Sequence, residues 1–264
     1  MNIAGYIASV LIGISLGLIG GGGSILTVPV LVYLFGIDAV LATVYSLFIV
    51  GVTSSVGTLS YFKKRLVDIR TALVFGIPSV AAVFLTRNYI VPAIPQQIFS
   101  IGGFTVTKSN LLMLLFAVLM IAAAYSMVRK RSATTDDSPR PQSNYPLMFL
   151  QGVLVGIATG FIGAGGGFLI IPALVNLLKM PMKNAIGTSL MIIAINSLTG
   201  FTFSLSHTGI QWSLLISITA IAISGILIGS YLATKIDGKK LKPAFGWFVL
   251  IMGIYIILKE TVFK

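Results

Sequence analysis

The chain has no cysteine, one histidine and only six carboxylates in 264 residues, and charged side chains make up 9% of it. Without cysteine there can be no disulfide, thiolate metal site or cysteine nucleophile. Asp38, Asp68, Asp136, Asp137, Asp237 and Glu260 all fall at the ends of apolar segments or between them. That argues against an acidic proton relay, or a carboxylate cage for a cation, in the middle of the fold. His207, also at a segment end, reads as a structural or solvated side chain. Neither a Walker loop nor a cluster of metal ligands occurs, so ATP hydrolysis and metal catalysis have no residues to carry them and no cofactor is expected.

What is present is apolar. Hydrophobic residues make up 56% of the chain and the mean hydropathy is +1.02, far from soluble proteins, in which about a quarter of residues are charged. The composition is that of an integral membrane protein with the lipid bilayer as its solvent. The formal net charge of +12 does not indicate nucleic acid, because the Lys and Arg are spread between apolar segments and form no basic domain. The start, MNIAGYIASVLIGISL, lacks the basic n-region of a cleaved signal peptide and reads as the first membrane segment.

Apolar stretches run near 3–35, 38–62, 69–86, 110–128, 146–178, 182–206, 212–234 and 243–259. Most have the roughly 20 residues that a helix needs to cross a hydrocarbon core of about 30 Å. The first and fifth are too long for one straight span, and each carries a glycine run at its middle: GLIGGGGSILTVP at 17–29 and GFIGAGGGFLIIP at 160–172. At roughly 1 kcal/mol per glycine relative to alanine, four in succession should break a helix. The two runs align without a gap at an offset of 143, which also places Ser46 opposite Ser189, Ser54 opposite Ser197 and Gly57 opposite Gly200. The chain therefore contains an internal duplication.

Charge counting decides how the broken segments run. If each crosses once, the 18 Lys and Arg divide almost evenly between the two sides. If each enters and leaves on one side, only Arg87, Lys108, Lys259 and Lys264 remain outside, and the positive-inside rule selects this arrangement. The expected fold is thus an all-α polytopic membrane protein of two inverted repeats, each a glycine-broken re-entrant hairpin plus three transmembrane helices. Residues 1–128 form the first repeat, 129–144 a cytoplasmic linker rich in Pro, Ser and mixed charge, and 145–264 the second repeat. Residues 88–108 read as an external loop with an interfacial helix. Trp212 and Trp247, near predicted segment ends, fit interfacial anchoring.

A hairpin apex inside a membrane leaves backbone N–H groups unpaired, and these must face protein, water or ligand. Helix N-termini favour negative charge, and two inverted copies would bring two of them face to face. Candidate anion-binding positions are Gly21, Gly22, Gly23, Ser24 and Thr27 in the first run and Ala164, Gly165, Gly166 and Gly167 in the second. Polar side chains on the following segments supply a second layer, namely Tyr45, Ser46 and Ser54 with Thr188, Ser189, Asn196 and Ser197. These donors can hold anionic oxygens without a buried cation. The competing readings are that the glycines serve close helix packing and that the hydroxyls bond between helices.

These blocks resemble the TauE/SafE family of membrane transporters: GLIGGGGSILTVPVL at 17–31 with ATVYSLFIVGVTS at 42–54, and GFIGAGGGFLIIPAL at 160–174 with AIGTSLMIIAINSLTG at 185–200. The likeness covers nearly the whole chain. It implies a permease of the inner membrane that moves sulfite, sulfonates or related organosulfur anions, with proton or sodium coupling and homo-oligomer formation left open. Tyr45, where the repeat mate has Thr188, and the long 88–108 stretch depart from the family's commoner pattern. The alternative is a membrane-embedded enzyme or assembly subunit acting on a sulfur-containing or lipid-soluble substrate, but the hydroxyls have no adjacent His or carboxylate to activate them.

Overall fold

The computed structural model describes residues 3–101, 104–128, 145–163, 166–178, 180–205, 210–236 and 238–261. The linker expected at 129–144, together with His207 and Asp237, lies outside the described residues.

Helix α1 (Ile3–Ile19) ends where Gly20 adopts φ +78°, a conformation that costs glycine nothing and reverses the chain. Helix α2 (Gly22–Tyr33) then returns along α1. A Cβ on Gly23 would stand 2.1 Å from the Ile12 carbonyl oxygen. Phe35, just past α2, packs edge-on against Tyr6 with ring centroids 5.7 Å apart. Both open ends of the pair therefore lie together, as they must in a hairpin.

Helices α3 (Ala39–Lys63) and α4 (Ile69–Ala93) follow. Each starts on an aspartate whose carboxylate accepts backbone N–H bonds, Asp38 from Val40 at 2.9 Å and Asp68 from Thr71 at 3.2 Å. Helix α4 runs past the expected end at 86 through a π-helical turn, Thr86–Ile90. An antiparallel hairpin of β1 (Gln97–Ile101) and β2 (Phe104–Thr107) then leads into α5 (Lys108–Val128). The 88–108 stretch thus holds the end of α4 and a β-hairpin where a loop and an interfacial helix were expected. The β-branched and aromatic residues on either side of Gly102 and Gly103 favour the ladder.

The second half repeats the plan. Helix α6 (Tyr145–Ile162) ends at Gly163 with φ +72°, and α7 (Gly167–Pro172) continues into a π-helical turn, Ala173–Leu177. Helices α8 (Met182–Ser204), α9 (Trp212–Lys235) and α10 (Gly238–Thr261) follow. Among the described residues, four helical stretches are long and apolar enough to span a membrane, those of α3, α4 and α8 and Trp212–Ala233 of α9. The spans of α3 and α8 are two-thirds buried and form the centre. Trp212 opens α9, whereas Trp247 sits well inside α10, which begins five residues earlier than the sequence suggests.

The two halves interlock, and contacts in one recur in the other with residue numbers displaced by 143. Helix α1 packs on α9 as α6 packs on α4. A Cβ on Gly13 would stand 2.0 Å from the Ala222 carbonyl oxygen, and one on the matching Gly156 would stand 2.3 Å from that of Ser79. Gly57 abuts Ile226 and Leu190 as Gly200 abuts Val83 and Leu47. The equivalent helices α3 and α8 run antiparallel. The Asp68 N–H donates to Thr188 Oγ1 (2.9 Å) where the end of α3 meets the start of α8, and the Gln211 N–H donates to Tyr45 Oη (2.6 Å) at the opposite end.

Polarity is distributed as a lipid solvent requires. Large apolar residues such as Ile7, Leu11, Ile77, Leu154 and Ile251 face outward, while Ser24, Thr27, Ser46, Ser54, Ser189 and Asn196 are fully buried. Helix association in such a setting relies on close van der Waals contact through small residues. Gly156→Leu should therefore force α6 away from α4 and yield protein that is aggregated or melts earlier in detergent. Gly76→Ala, with nothing within 4 Å of the new methyl, should melt no lower than wild type. Thermal unfolding followed by size-exclusion profile distinguishes the two.

Candidate functional site

The glycine runs place two helix beginnings against each other in the interior. Gly21 precedes α2 and Gly166 precedes α7, and as glycines neither supplies a side-chain cap to its helix. A Cβ on Gly167 would stand 2.6 Å from Gly21 Cα, so the two apices touch, and they do so because neither carries a side chain there. Each apex is also clasped by the other half. Gly20 lies against Ser189 and Ile186 of α8, with Ser189 Oγ 2.7 Å from where its Cβ would be. Gly163 lies against Thr43 of α3, the repeat mate of Ile186.

The first N–H groups of a helix have no intrahelical acceptor. At the first apex, Ser24 Oγ donates to the Gly21 carbonyl (2.7 Å) and Thr27 Oγ1 donates to the Gly23 carbonyl (3.1 Å). Neither hydroxyl donates across to the second half in these bonds. Gly22 and Gly23 form the first turn of α2. At the second apex, Gly166 has φ +66° and lies against Thr159 and Val155 of α6. Ala164 and Gly165 lie outside the described residues.

The polar layer divides into two groups. Ser46 Oγ, Ser54 Oγ, Ser197 Oγ and Asn196 Oδ1 are buried and have no hydrogen-bond partner among the described residues. Ser54, Asn196 and Ser197 flank the crossing of α3 and α8, where Gly51 meets Leu198. Asn196 Nδ2 donates to Ser79 Oγ at 2.6 Å, and Ser189 Oγ donates to the Ile186 carbonyl at 2.9 Å. Tyr45 and Thr188 are engaged elsewhere, since their hydroxyl oxygens accept the Gln211 and Asp68 N–H groups at opposite ends of the bundle.

One residue escaped the sequence reading. Arg87, assigned above to the outside as a topology signal, is 7% exposed and lies in the π-helical turn of α4. Its Nη1 donates to Thr43 Oγ1 at 3.2 Å, and its Nη2 stands 2.6 Å from the position of a Cβ on Gly163. The interior therefore does hold a cation, one that charge counting had placed outside. The missed signal is positional: at the offset of 143 Arg87 stands opposite Ser230, which lies inside the apolar stretch 212–234.

An all-α bundle with lipid-facing apolar side chains and a polar interior built on two broken segments defines a polytopic membrane transport protein. The sulfite exporter TauE/SafE family matches residues 6–256, and the chain belongs to that family. It is 32% identical to a probable membrane transporter protein of Xylella fastidiosa (strain Temecula1) over 95% of this chain and 92% of that one. It is 27% identical to the probable membrane transporter protein YunE of Bacillus subtilis, over 91% and 89% of the two chains. A probable membrane transporter protein of Methanocaldococcus jannaschii, MJ0441, is 26% identical over 96% and 94%. No solved structure is a significant match. The chain is thus a membrane transporter, and family membership sets aside the membrane-enzyme alternative.

The positive φ at Gly20 together with the Ser189 contact makes this glycine hard to replace. Gly20→Ala should destabilise the protein by about 1–2 kcal/mol from the left-handed backbone alone, read as a lower melting temperature. Gly36→Ala has a similar φ of +68° but open space around it, and should show the backbone penalty without the clash.

Proposed function

We propose that the chain is a secondary transporter, a permease, for a small anion of the sulfite, sulfonate or related organosulfur class, bound between the two glycine apices near the membrane midplane. The observation that carries this reading is the contact of Gly21 with Gly167, which brings together two helix beginnings that no side chain caps. Helix N-termini carry about half a positive charge each. The hydroxyls of Ser46, Ser54 and Ser197, unpartnered among the described residues, supply further donors for oxygen atoms. Two hairpins of opposite orientation suit alternating access, in which one repeat rocks against the other around a shared site. On this reading the protein sits in the inner membrane with residues 129–144 in the cytoplasm, because that orientation places most Lys and Arg inside.

Flux into proteoliposomes tests the proposal with sulfite, thiosulfate, a taurine-like sulfonate and small carboxylates, each under an imposed proton gradient, an imposed sodium gradient or neither. The expected result is passage of an unmodified sulfur oxyanion, with the gradient arms identifying a coupling ion. Ser54→Ala and Ser197→Ala should each raise KM about tenfold, the worth of one hydrogen bond to a charged group at roughly 1.5 kcal/mol. Both variants should stay folded, since neither hydroxyl has a hydrogen-bond partner among the described residues. Absence of flux for every anion, in protein that is folded and inserted, would reject the proposal.

A further inference from the structure

Arg87 is a buried charge without a counter-charge among the described residues. Among the described residues its guanidinium makes one hydrogen bond, from Nη1 to Thr43 Oγ1, and Nε and Nη2 have no partner. The other buried cation at this end of α4, Lys108, donates to the Val91 carbonyl at 2.6 Å, one turn beyond Arg87. Among the described residues no carboxylate pairs with either of them. Asp38 and Asp68 cap α3 and α4. An ionisable side chain inside a membrane protein is costly to keep and ordinarily marks a substrate path.

The pattern of free nitrogens is informative. In a guanidinium, the Nε–H and one Nη2–H point the same way and form the two-pronged edge that matches two oxygens of a carboxylate or related anion. Here Nη1, on the other side, is the one tied down by Thr43, so the protein fixes the group and leaves the fork free. The fork also lies at an apex. Nη2 is 2.6 Å from where Gly163 would carry a Cβ, so only glycine lets the guanidinium come this close to the break between α6 and α7. The matching position in the other half is Ser230, which makes the charge a feature of one repeat only.

We propose that Arg87 is the fixed positive charge that recognises the transported anion, its Nε/Nη2 edge gripping two oxygens of one oxyanion beside the second apex. This inference rests on the anion-transport reading and narrows it: the substrate presents at least two oxygens on one centre, as sulfite, sulfonates and carboxylates do and as halides and thiocyanate do not. Thr43 acts as a positioning residue through Nη1.

Thermal unfolding of the purified full chain in detergent tests this, with sulfite, methanesulfonate, chloride or thiocyanate added at equal ionic strength. Ligands that bind the folded state raise its melting temperature. Wild type should be stabilised by sulfite or methanesulfonate and not by the other two. Arg87→Met should melt no lower than wild type without ligand, because an unpaired buried charge has been replaced by an apolar side chain, and it should lose the oxyanion shift. Arg87→Lys should weaken apparent affinity by at least about tenfold, since an ammonium lacks the planar fork. A merely structural arginine would behave in the opposite way, with Arg87→Met melting well below wild type and Arg87→Lys keeping full affinity. Undiminished oxyanion shifts in both variants would overturn the role of Arg87 while leaving the anion-transport reading standing. A wild-type protein indifferent to every oxyanion would overturn both.

Discussion

Everything in this fold turns on how two broken helices are kept inside an apolar solvent. A helix interrupted at membrane depth exposes backbone N–H groups that lipid cannot satisfy, at several kcal/mol each. The protein answers by pressing the two breaks together at Gly21 and Gly167 and walling them with α3 and α8. That solution needs glycine at the point of contact, left-handed backbone at Gly20 and Gly163, and the two central helices packed closely enough to clasp both turns. The shell of α1, α4, α6 and α9 is then constrained as well. Its glycines bring backbones to within carbonyl contact, because in lipid close packing replaces the hydrophobic effect as the force between helices.

The same constraint accounts for the place of the proposed site. Groups that no side chain caps, in a place that excludes lipid, are available to a ligand. Near-symmetry doubles the helix beginnings, and one departure from it, Arg87 against Ser230, gives one half a full charge that the other lacks at that position. The buried hydroxyls of Ser46, Ser54 and Ser197, without partners among the described residues, lie on the two helices that run past both apices. On the proposed anion-transport reading the interior needs donors that can be shared between states, and hydroxyls at a helix crossing are of that kind.

Much of this was legible in the sequence, for reasons that differ by residue. The offset of 143 exposed the duplication because both halves must make the same contacts, so Gly13 and Gly156, or Gly57 and Gly200, face the same constraint twice. Charge counting favoured hairpins, and the chain reversals at Gly20 and Gly163 agree with that geometry. Arg87 was not legible, because a π-helical turn carries α4 beyond its expected end at 86 as far as Ala93 and turns inward a side chain that composition assigns to a loop. Tyr45 and Thr188 look like their neighbours Ser46 and Ser189 in sequence, and only the three-dimensional placement of Gln211 and Asp68 reveals their other engagements. The β-hairpin did leave a trace, a Gly-Gly pair between β-favouring residues, which hydropathy alone passes over.

The central claim is that α1 with α2, and α6 with α7, are hairpins that open to opposite faces of the membrane. A chain without cysteine allows a direct measurement: single cysteines at the exposed positions Ala4, Gly36, Pro146 and Pro181, labelled in intact cells and in inverted vesicles with a membrane-impermeant thiol reagent. The account predicts that Ala4→Cys and Gly36→Cys react from one face and that Pro146→Cys and Pro181→Cys react from the other. Labelling of Ala4→Cys and Gly36→Cys from opposite faces, or of all four from the same face, would contradict it.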